Sequence, residues 1–227
     1  MKPLDYFFDT PVADFPRRFS TFFFAVERLI FKPLFRYRAY DKEKLDSVAP
    51  GTGFIVAGNH SSYLDPVFVM NVMLPRRIRY LSKEEFLNIH PIVAHFAAWM
   101  GVFPVKRNTA DMSAVKRAVR MLKRGENVGI FPEGTRVRSG DQEVINHEGI
   151  ALIAKLASAP VVPVRIFNAN KIRPEGTRLF RCPKIILRFG DPLSIQEERF
   201  ASLPKEERHQ AFTDAVMKSV YALECPQ

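Results

Sequence analysis

Cysteine is scarce in this chain. Cys182 and Cys225 are its only two, and they have no metal-like spacing. A disulfide-stapled scaffold and a zinc module are thereby excluded, and free thiols in a reducing compartment are expected. No secretory leader is expected either: Met1 to Asp14 holds one lysine, three aspartates and no apolar core. The most aromatic stretch, Phe19 to Val26, stays uncharged for only eight residues before Glu27 and Arg28. A bilayer span needs about 20 mostly apolar residues, so this stretch does not read as one. There is no low-complexity tract and no long linker. Acidic residues are outnumbered, 24 Asp and Glu against 34 Lys and Arg, for a net charge of +10. That balance suits nucleic acid, an anionic membrane surface or acidic small substrates.

What is present is ample material for a core, with 47% hydrophobic residues over 227 positions. The length fits one large domain, or a domain with an appendage. The N-terminal part has its own composition. Nine of the 20 phenylalanines precede residue 36, interleaved with Arg17, Arg18, Arg28, Lys32, Arg36 and Arg38. A helix begun by Pro16 places Phe19, Phe22, Phe23, Val26, Leu29 and Ile30 on one face. Phe24 and Phe31 fall off that stripe. A Phe-rich face bordered by arginine and lysine is the pattern of an interfacial helix, and the alternative is a helix packed on the domain's own core. Residues 1–45 are therefore expected to form a Phe/Arg-rich helical membrane-association segment, and residues 46–227 an α/β domain.

From Gly53 onward, strand and helix patterns alternate. Gly53–Ala57, Ile78–Ser82, Val102–Val105, Val128–Phe131, Val161–Ile166 and Ile185–Phe189 read as strands, with Pro104 demoting the third to an edge or an end. Glu84–Met100 reads as helix broken at His90-Pro91. Asp111–Arg124 reads as an amphipathic helix with Met112, Val115, Val119 and Leu122 facing in. Glu148–Ala157 and Pro204–Leu223 are also helical, the latter with Phe212, Ala215, Val216, Ser219 and Leu223 along one side. The fold class is thus α/β, a single largely parallel sheet flanked by helices and preceded by an amphipathic interfacial segment.

The chemistry concentrates where strands end. Asn59-His60-Ser61-Ser62-Tyr63-Leu64-Asp65-Pro66 follows the first strand, and Asp65-Pro66 has the form of a helix start. On a continuous helix, side chains five apart diverge by about 140°. A loop between strand end and helix start instead allows Asp65 to turn back onto His60, orienting the imidazole as a general base. The alternative is a surface turn that happens to hold a histidine. Gly101 to Arg107 ends in Lys106 and Arg107, and Phe131-Pro132-Glu133-Gly134-Thr135-Arg136 combines a carboxylate, a glycine, a hydroxyl and a guanidinium. Ligands gather at such strand ends in open α/β sheets, and arginine suits phosphate. These turns read as a phosphate cradle or as solvated loops. The pentapeptide Pro-Glu-Gly-Thr-Arg recurs at Pro174 to Arg178. Only the first copy follows a strand directly, so the first is taken as the site.

Together these residues resemble the glycerolipid acyltransferase family, in particular the bacterial 1-acyl-sn-glycerol-3-phosphate acyltransferases. Asn59, His60, Ser62 and Asp65 match its first motif, Gly101 and Arg107 its second, Phe131 to Arg136 its third, and Val161, Val162 and Pro163 its fourth, all in family order. Pro104 and Lys106 depart from the usual second motif. The resemblance implies transfer of a fatty acyl group from an acyl carrier protein or coenzyme A thioester to lysophosphatidic acid, giving phosphatidic acid. His60 would be the base and Asp65 its orienting partner. Lys106, Arg107, Glu133, Gly134, Thr135 and Arg136 would bind the phosphate and glycerol. The backbone N–H of Val105 is the expected oxyanion donor. No metal and no cofactor beyond the thioester co-substrate is expected, since His60 and Asp65 have no third ligand of suitable spacing. The expected setting is the cytoplasmic face of the cell membrane, peripheral or monotopic, among membrane lipids. Nucleic acid is not expected as a partner, because the aromatics cluster in one helix rather than on a strand platform. Glycerol 3-phosphate or another lysophospholipid as acceptor remains an alternative, as does a non-catalytic lipid-binding protein.

Overall fold

The computed structural model describes residues 17–83, 90–105, 111–134, 148–174, 176–177 and 179–226. Helix α1, Arg17–Phe35, leads into a short strand β1, Arg38–Tyr40, and a 3-10 turn at Lys42–Ser47. There follow β2 (Ile55–Gly58), α2 (Asp65–Met73), β3 (Ile78–Lys83), α3 (Pro91–Trp99), β4 (Phe103–Val105), α4 (Met112–Lys123) and β5 (Asn127–Ile130). The chain closes with α5 (Gly149–Ala157), β6 (Val161–Phe167), β7 (Ile186–Phe189), a single turn α6 (Glu198–Ala201) and α7 (Lys205–Ala222). The seven strands form one sheet in the order β1-β7-β6-β2-β5-β3-β4. Strands β6, β2, β5, β3 and β4 are mutually parallel, while β7 runs antiparallel to β6 and carries β1 parallel to itself.

The central strands are near-continuous apolar runs because both faces are covered. All four residues of β2 are buried. Alternation along β2 divides the core in two. Ile55 and Ala57 join Ala94, Ala97 and Ala98 of α3, Met121 and Leu122 of α4, α5, and Phe212 and Val216 of α7. Phe54 and Val56 join Phe24 and Phe35 of α1 and Phe68, Val69, Met70, Val72 and Met73 of α2. On β3 the buried Arg79 pairs with Glu126 at 3.2 Å and donates from Nε to the Gly101 carbonyl at 3.2 Å. Burial lowers the pKa of this guanidinium, and Glu126 opposes that shift.

Several helix faces differ from the sequence expectation. On α4 the buried residues are Ala114, Ala118, Met121 and Leu122, with Val115 and Val119 at the margin and Met112 exposed. Two alanines let the helix lie close to its neighbours, so the tight face is not the one with the largest apolar side chains. On α7 the buried row is Phe212, Thr213, Val216, Met217 and Val220, rotated from the expected one. On α1, Phe24 is buried and Phe31 packs on the core, whereas Phe22, Val26, Leu29, Ile30 and Leu34 are exposed. Most of the expected stripe therefore faces outward, while Phe23 of that stripe packs on the core with Phe24, Phe31 and Phe35; the Phe19 side chain lies outside the described residues. Strand β1 has no sequence signature, being polar and three residues long. It exists because Arg38 to Tyr40 pair with Ile186 to Arg188, so residues 38–40 belong to the sheet rather than to a separate segment.

Candidate active site

The site is built at the C-terminal ends of parallel strands, where β2 and β5 open into turns. Beyond β2, the Asn59 side chain continues the pairing with β6. Its Oδ1 accepts from Ile166 N at 2.8 Å and its Nδ2 donates to Ile166 O at 3.0 Å. This fixes the first residue of the turn. The chain then bends so that α2 begins at Asp65, with Pro66 in its first turn.

Asp65 is fully buried, and its Oδ2 meets three groups: Nδ1 of His60 at 3.0 Å, and the backbone N–H groups of Ser61 and Ser62, each at 2.7 Å. A carboxylate only accepts, so Nδ1 carries the proton and donates it. The remaining ring nitrogen, Nε2, is the basic one. The His60 side chain is 19% exposed, enough to meet a substrate and too little to rotate freely. Its ring stacks on Phe131 with centroids 4.4 Å apart and planes 13° apart, and Phe131 stacks in turn on Tyr80 at 5.4 Å. Burial, helped by the Asp65 charge, pushes the Tyr80 hydroxyl well above its usual range, which keeps it neutral.

Glu133 lies in the turn after β5 and is 2% exposed. Its Oε2 accepts from the backbone N–H of His60 at 2.8 Å, and its Oε1 from the hydroxyl of Tyr221 at 2.5 Å. Sequence reasoning gave Glu133 a substrate hydroxyl; here both of its oxygens are engaged inside the protein. Burial raises its pKa, while the Tyr221 hydroxyl and the His60 N–H oppose the shift. Tyr221 is pushed up too, first by burial and then by its bond to Glu133. No sequence pattern marked Tyr221, because it is 88 residues from Glu133 and follows no strand.

Gly134 adopts φ 62°, a left-handed conformation that glycine takes without strain, and its N–H closes the turn on the Phe131 carbonyl at 3.0 Å. Lys106, Arg107, Thr135 and Arg136, the remaining expected phosphate ligands, lie outside the described residues. Val105, the expected oxyanion donor, ends the edge strand β4, three strands from β2 in the sheet. The second Pro-Glu-Gly-Thr-Arg copy sits on the connection between β6 and β7, where Thr177 Oγ1 donates to the Pro174 carbonyl at 2.9 Å in an exposed turn. Glu175 and Arg178 are outside the described residues. Among the described residues, no three His, Cys, Asp or Glu side chains are placed to share a metal ion.

An open α/β sheet with a histidine–aspartate pair at its strand ends defines a candidate catalytic site in an α/β protein. The sequence profile of the Acyltransferase family matches residues 37–167, and the chain belongs to this family; it is an acyltransferase. It is 34% identical over 187 residues to a 1-acyl-sn-glycerol-3-phosphate acyltransferase of Bacillus subtilis (strain 168), covering 82% of this chain and 87% of that one. It is 32% identical over 128 residues to the protein of the same name from Borreliella burgdorferi, covering 55% of this chain and 50% of that one. Among solved structures it is similar to the 1-acyl-sn-glycerophosphate (LPA) acyltransferase PlsC of Thermotoga maritima. The TM-score is 0.58 at 19% identity, over 92% of this chain and 90% of that one, and this likeness concerns the fold.

Proposed function

We propose that the chain transfers a fatty acyl group from an acyl thioester, of acyl carrier protein or coenzyme A, to the free sn-2 hydroxyl of 1-acylglycerol 3-phosphate, giving phosphatidic acid. The observation that carries the mechanism is the His60–Asp65 pair, with Nδ1 held by a buried carboxylate at 3.0 Å. The names of the relatives supply the acceptor. In the first step Nε2 of His60 takes the hydroxyl proton as the oxygen attacks the thioester carbonyl carbon. The negative charge that Asp65 holds stabilises the imidazolium formed. The tetrahedral intermediate then collapses, the C–S bond breaks, and the departing thiolate recovers the proton from the imidazolium. Ester and free thiol result, and the balance requires no covalent enzyme intermediate. Four of the described turn amides are already engaged within the protein. The N–H groups of Ser61 and Ser62 go to Asp65, that of His60 to Glu133, and that of Gly134 to Phe131. Lys106, Arg107, Thr135 and Arg136 would hold the acceptor's phosphate, with the two arginines offering paired donors.

The same proposal places the protein on a bilayer surface, at the cytoplasmic face where the thioester donors are. No described helix is long and apolar enough to cross a membrane. The support is the outward face of α1, where Phe22 is 68% and Leu29 75% exposed, with Arg28 and Lys32 exposed on the same helix. Phe180, 56% exposed, lies edge-on to Phe35 at the end of α1 with ring centroids 6.1 Å apart, and Leu179 beside it is exposed as well. Arg36, Arg173 and Arg181 are exposed nearby in sequence. An apolar surface with basic residues around it fits anionic lipid.

The mechanism is tested by His60→Ala and Asp65→Asn, assayed for phosphatidic acid from lysophosphatidic acid and an acyl thioester. His60→Ala should lower kcat by roughly 10²–10⁴-fold with the fold intact. Asp65→Asn presents a donor to Nδ1, reverses the tautomer and should cost a comparable factor. Turnover near the wild-type value in His60→Ala would refute the mechanism. A donor and acceptor panel read by mass spectrometry separates lysophosphatidic acid from glycerol 3-phosphate and other lysophospholipids.

A further inference from the structure

We propose that Tyr221, near the end of the C-terminal helix, is a positioning residue of the acyl-transfer site: its hydroxyl holds Glu133, and Glu133 holds the backbone of His60. The inference rests on the reading of His60 as the base. It brings α7 into the site, although the family profile ends at residue 167.

Three observations carry it. The first is the continuity of the strut. Tyr221 Oη donates to Glu133 Oε1 at 2.5 Å, and His60 N donates to Glu133 Oε2 at 2.8 Å, so a hydroxyl on the last helix is two hydrogen bonds from the catalytic turn. The second is burial. Glu133 is nearly inaccessible, so water does not replace a lost donor cheaply, and a buried acceptor without a partner is costly. The third is that Tyr221 is itself anchored. Arg165 of β6 donates from Nη1 to the Tyr221 carbonyl at 2.5 Å and to the Leu223 carbonyl at 2.8 Å, and its guanidinium lies 5.4 Å from the Tyr221 ring centroid. The residue is 44% exposed, yet its hydroxyl is turned onto the buried carboxylate. A tyrosine kept only for packing would not need this orientation.

The charged and titratable groups facing Glu133 are Tyr221 from α7, His60 from the end of β2 and Asp65 from α2; Arg165 faces it only through the tyrosine. The Tyr221 hydrogen bond favours the ionised form of Glu133, and the Asp65 charge disfavours it. Removing the hydroxyl therefore moves the Glu133 pKa further up. It also frees the His60 backbone to shift, and displacements of about 1 Å at a reacting group cost up to roughly a hundredfold in rate.

The experiment compares Tyr221→Phe, Tyr221→Leu, Glu133→Gln and the Tyr221→Phe/Glu133→Gln double variant in the full chain, with folding checked by circular dichroism and thermal midpoint. Tyr221→Phe keeps the ring over Arg165 and removes only the hydroxyl. It should lower kcat about ten- to a hundredfold with KM for both substrates little changed, and move the acid limb of the kcat–pH profile to higher pH. Tyr221→Leu should be no worse in kcat than Tyr221→Phe. In the Glu133→Gln background the hydroxyl should matter little, since interacting residues are not additive. The proposal is overturned if Tyr221→Phe is as active as wild type while Tyr221→Leu is poor, which assigns the ring to packing alone. It is overturned equally by strictly additive losses in the double variant, or by a rise in KM with kcat and pH profile unchanged. An inactive His60→Ala beside a normal Tyr221→Phe removes the strut and leaves the base standing. An active His60→Ala removes the base itself.

Discussion

Gly129 has no space for a side chain. A Cβ placed there would lie 2.3 Å from the Tyr80 ring, and Tyr80 is Gly129's neighbour in the pairing of β3 with β5. The missing side chain lets Tyr80 lie flat and stack on Phe131, which stacks on His60. Gly129→Ala should therefore act twice. Overpacking should cost about 1–3 kcal/mol of stability, read from urea unfolding, and the displaced ring stack should lower kcat more than KM. Stability and turnover both at wild-type values would show that the stack does not set the histidine. At this scale the sequence is uneven in what it discloses. His60 and Asp65 are five apart and announce themselves. Glu133 is visible in its motif, but its two protein donors are not, because one is a backbone N–H and the other comes from a distant helix.

Helix α1 is held by a buried polar contact as well as by phenylalanines. Asn71 of α2 donates from Nδ2 to Glu27 Oε2, and Tyr37 is buried in the same core. Burial raises the Glu27 pKa from 4.5 to about 7, and the Asn71 hydrogen bond opposes this. The sign follows from proton linkage. Between about 4.5 and 7 the folded state binds the proton more tightly than the unfolded state, so stability falls as pH rises through that window and levels off above it. The full shift corresponds to roughly 3 kcal/mol. Amide exchange along α1 and urea midpoints should show a looser helix at pH 8 than at pH 5, and Glu27→Gln should flatten the dependence. A wild-type profile that rises over the same range would contradict this assignment. The elements themselves were largely legible, because apolar runs and period-3.6 faces are local. Their inward faces were less so: α4 turns Ala114 and Ala118 inward because closeness of approach, not side-chain size, selects the face.

The molecule as a whole presents an apolar, basic-edged surface at α1 and at the connection between β6 and β7. If this surface meets the bilayer, Phe22→Ser/Leu29→Ser should reduce partition onto anionic vesicles by about tenfold or more, as expected from two exposed apolar side chains. Salt should weaken binding without abolishing it, since screening acts on the charges and not on the apolar contact. Cosedimentation at low and high ionic strength measures both. Unchanged partition of the double variant would remove α1 from the interface. Turnover on a short-chain, water-soluble acceptor should stay near the wild-type rate, because neither residue belongs to the catalytic turn.

The α/β class, the parallel central strands and the motif-bearing turns followed from the sequence alone, because strand and helix periodicities and glycine–proline punctuation are properties of neighbouring residues. The sequence allowed the strand containing Pro104 an edge or an end, since proline lacks an N–H for a second partner, and the sheet order made it an edge. Only the tertiary structure decided the rest. The polar residues 38–40 became a strand because β7 offered them an edge. Val105 was set three strands away from His60 by the sheet order, which no local pattern encodes. The outward stripe of α1 and its inward Phe24, Glu27 and Phe35 were settled by which face met α2. Glu133 was turned inward by donors that the chain supplies from opposite ends. Contacts between residues distant along the chain depend on how whole layers stack, and that is a property of the packed molecule rather than of any stretch of it.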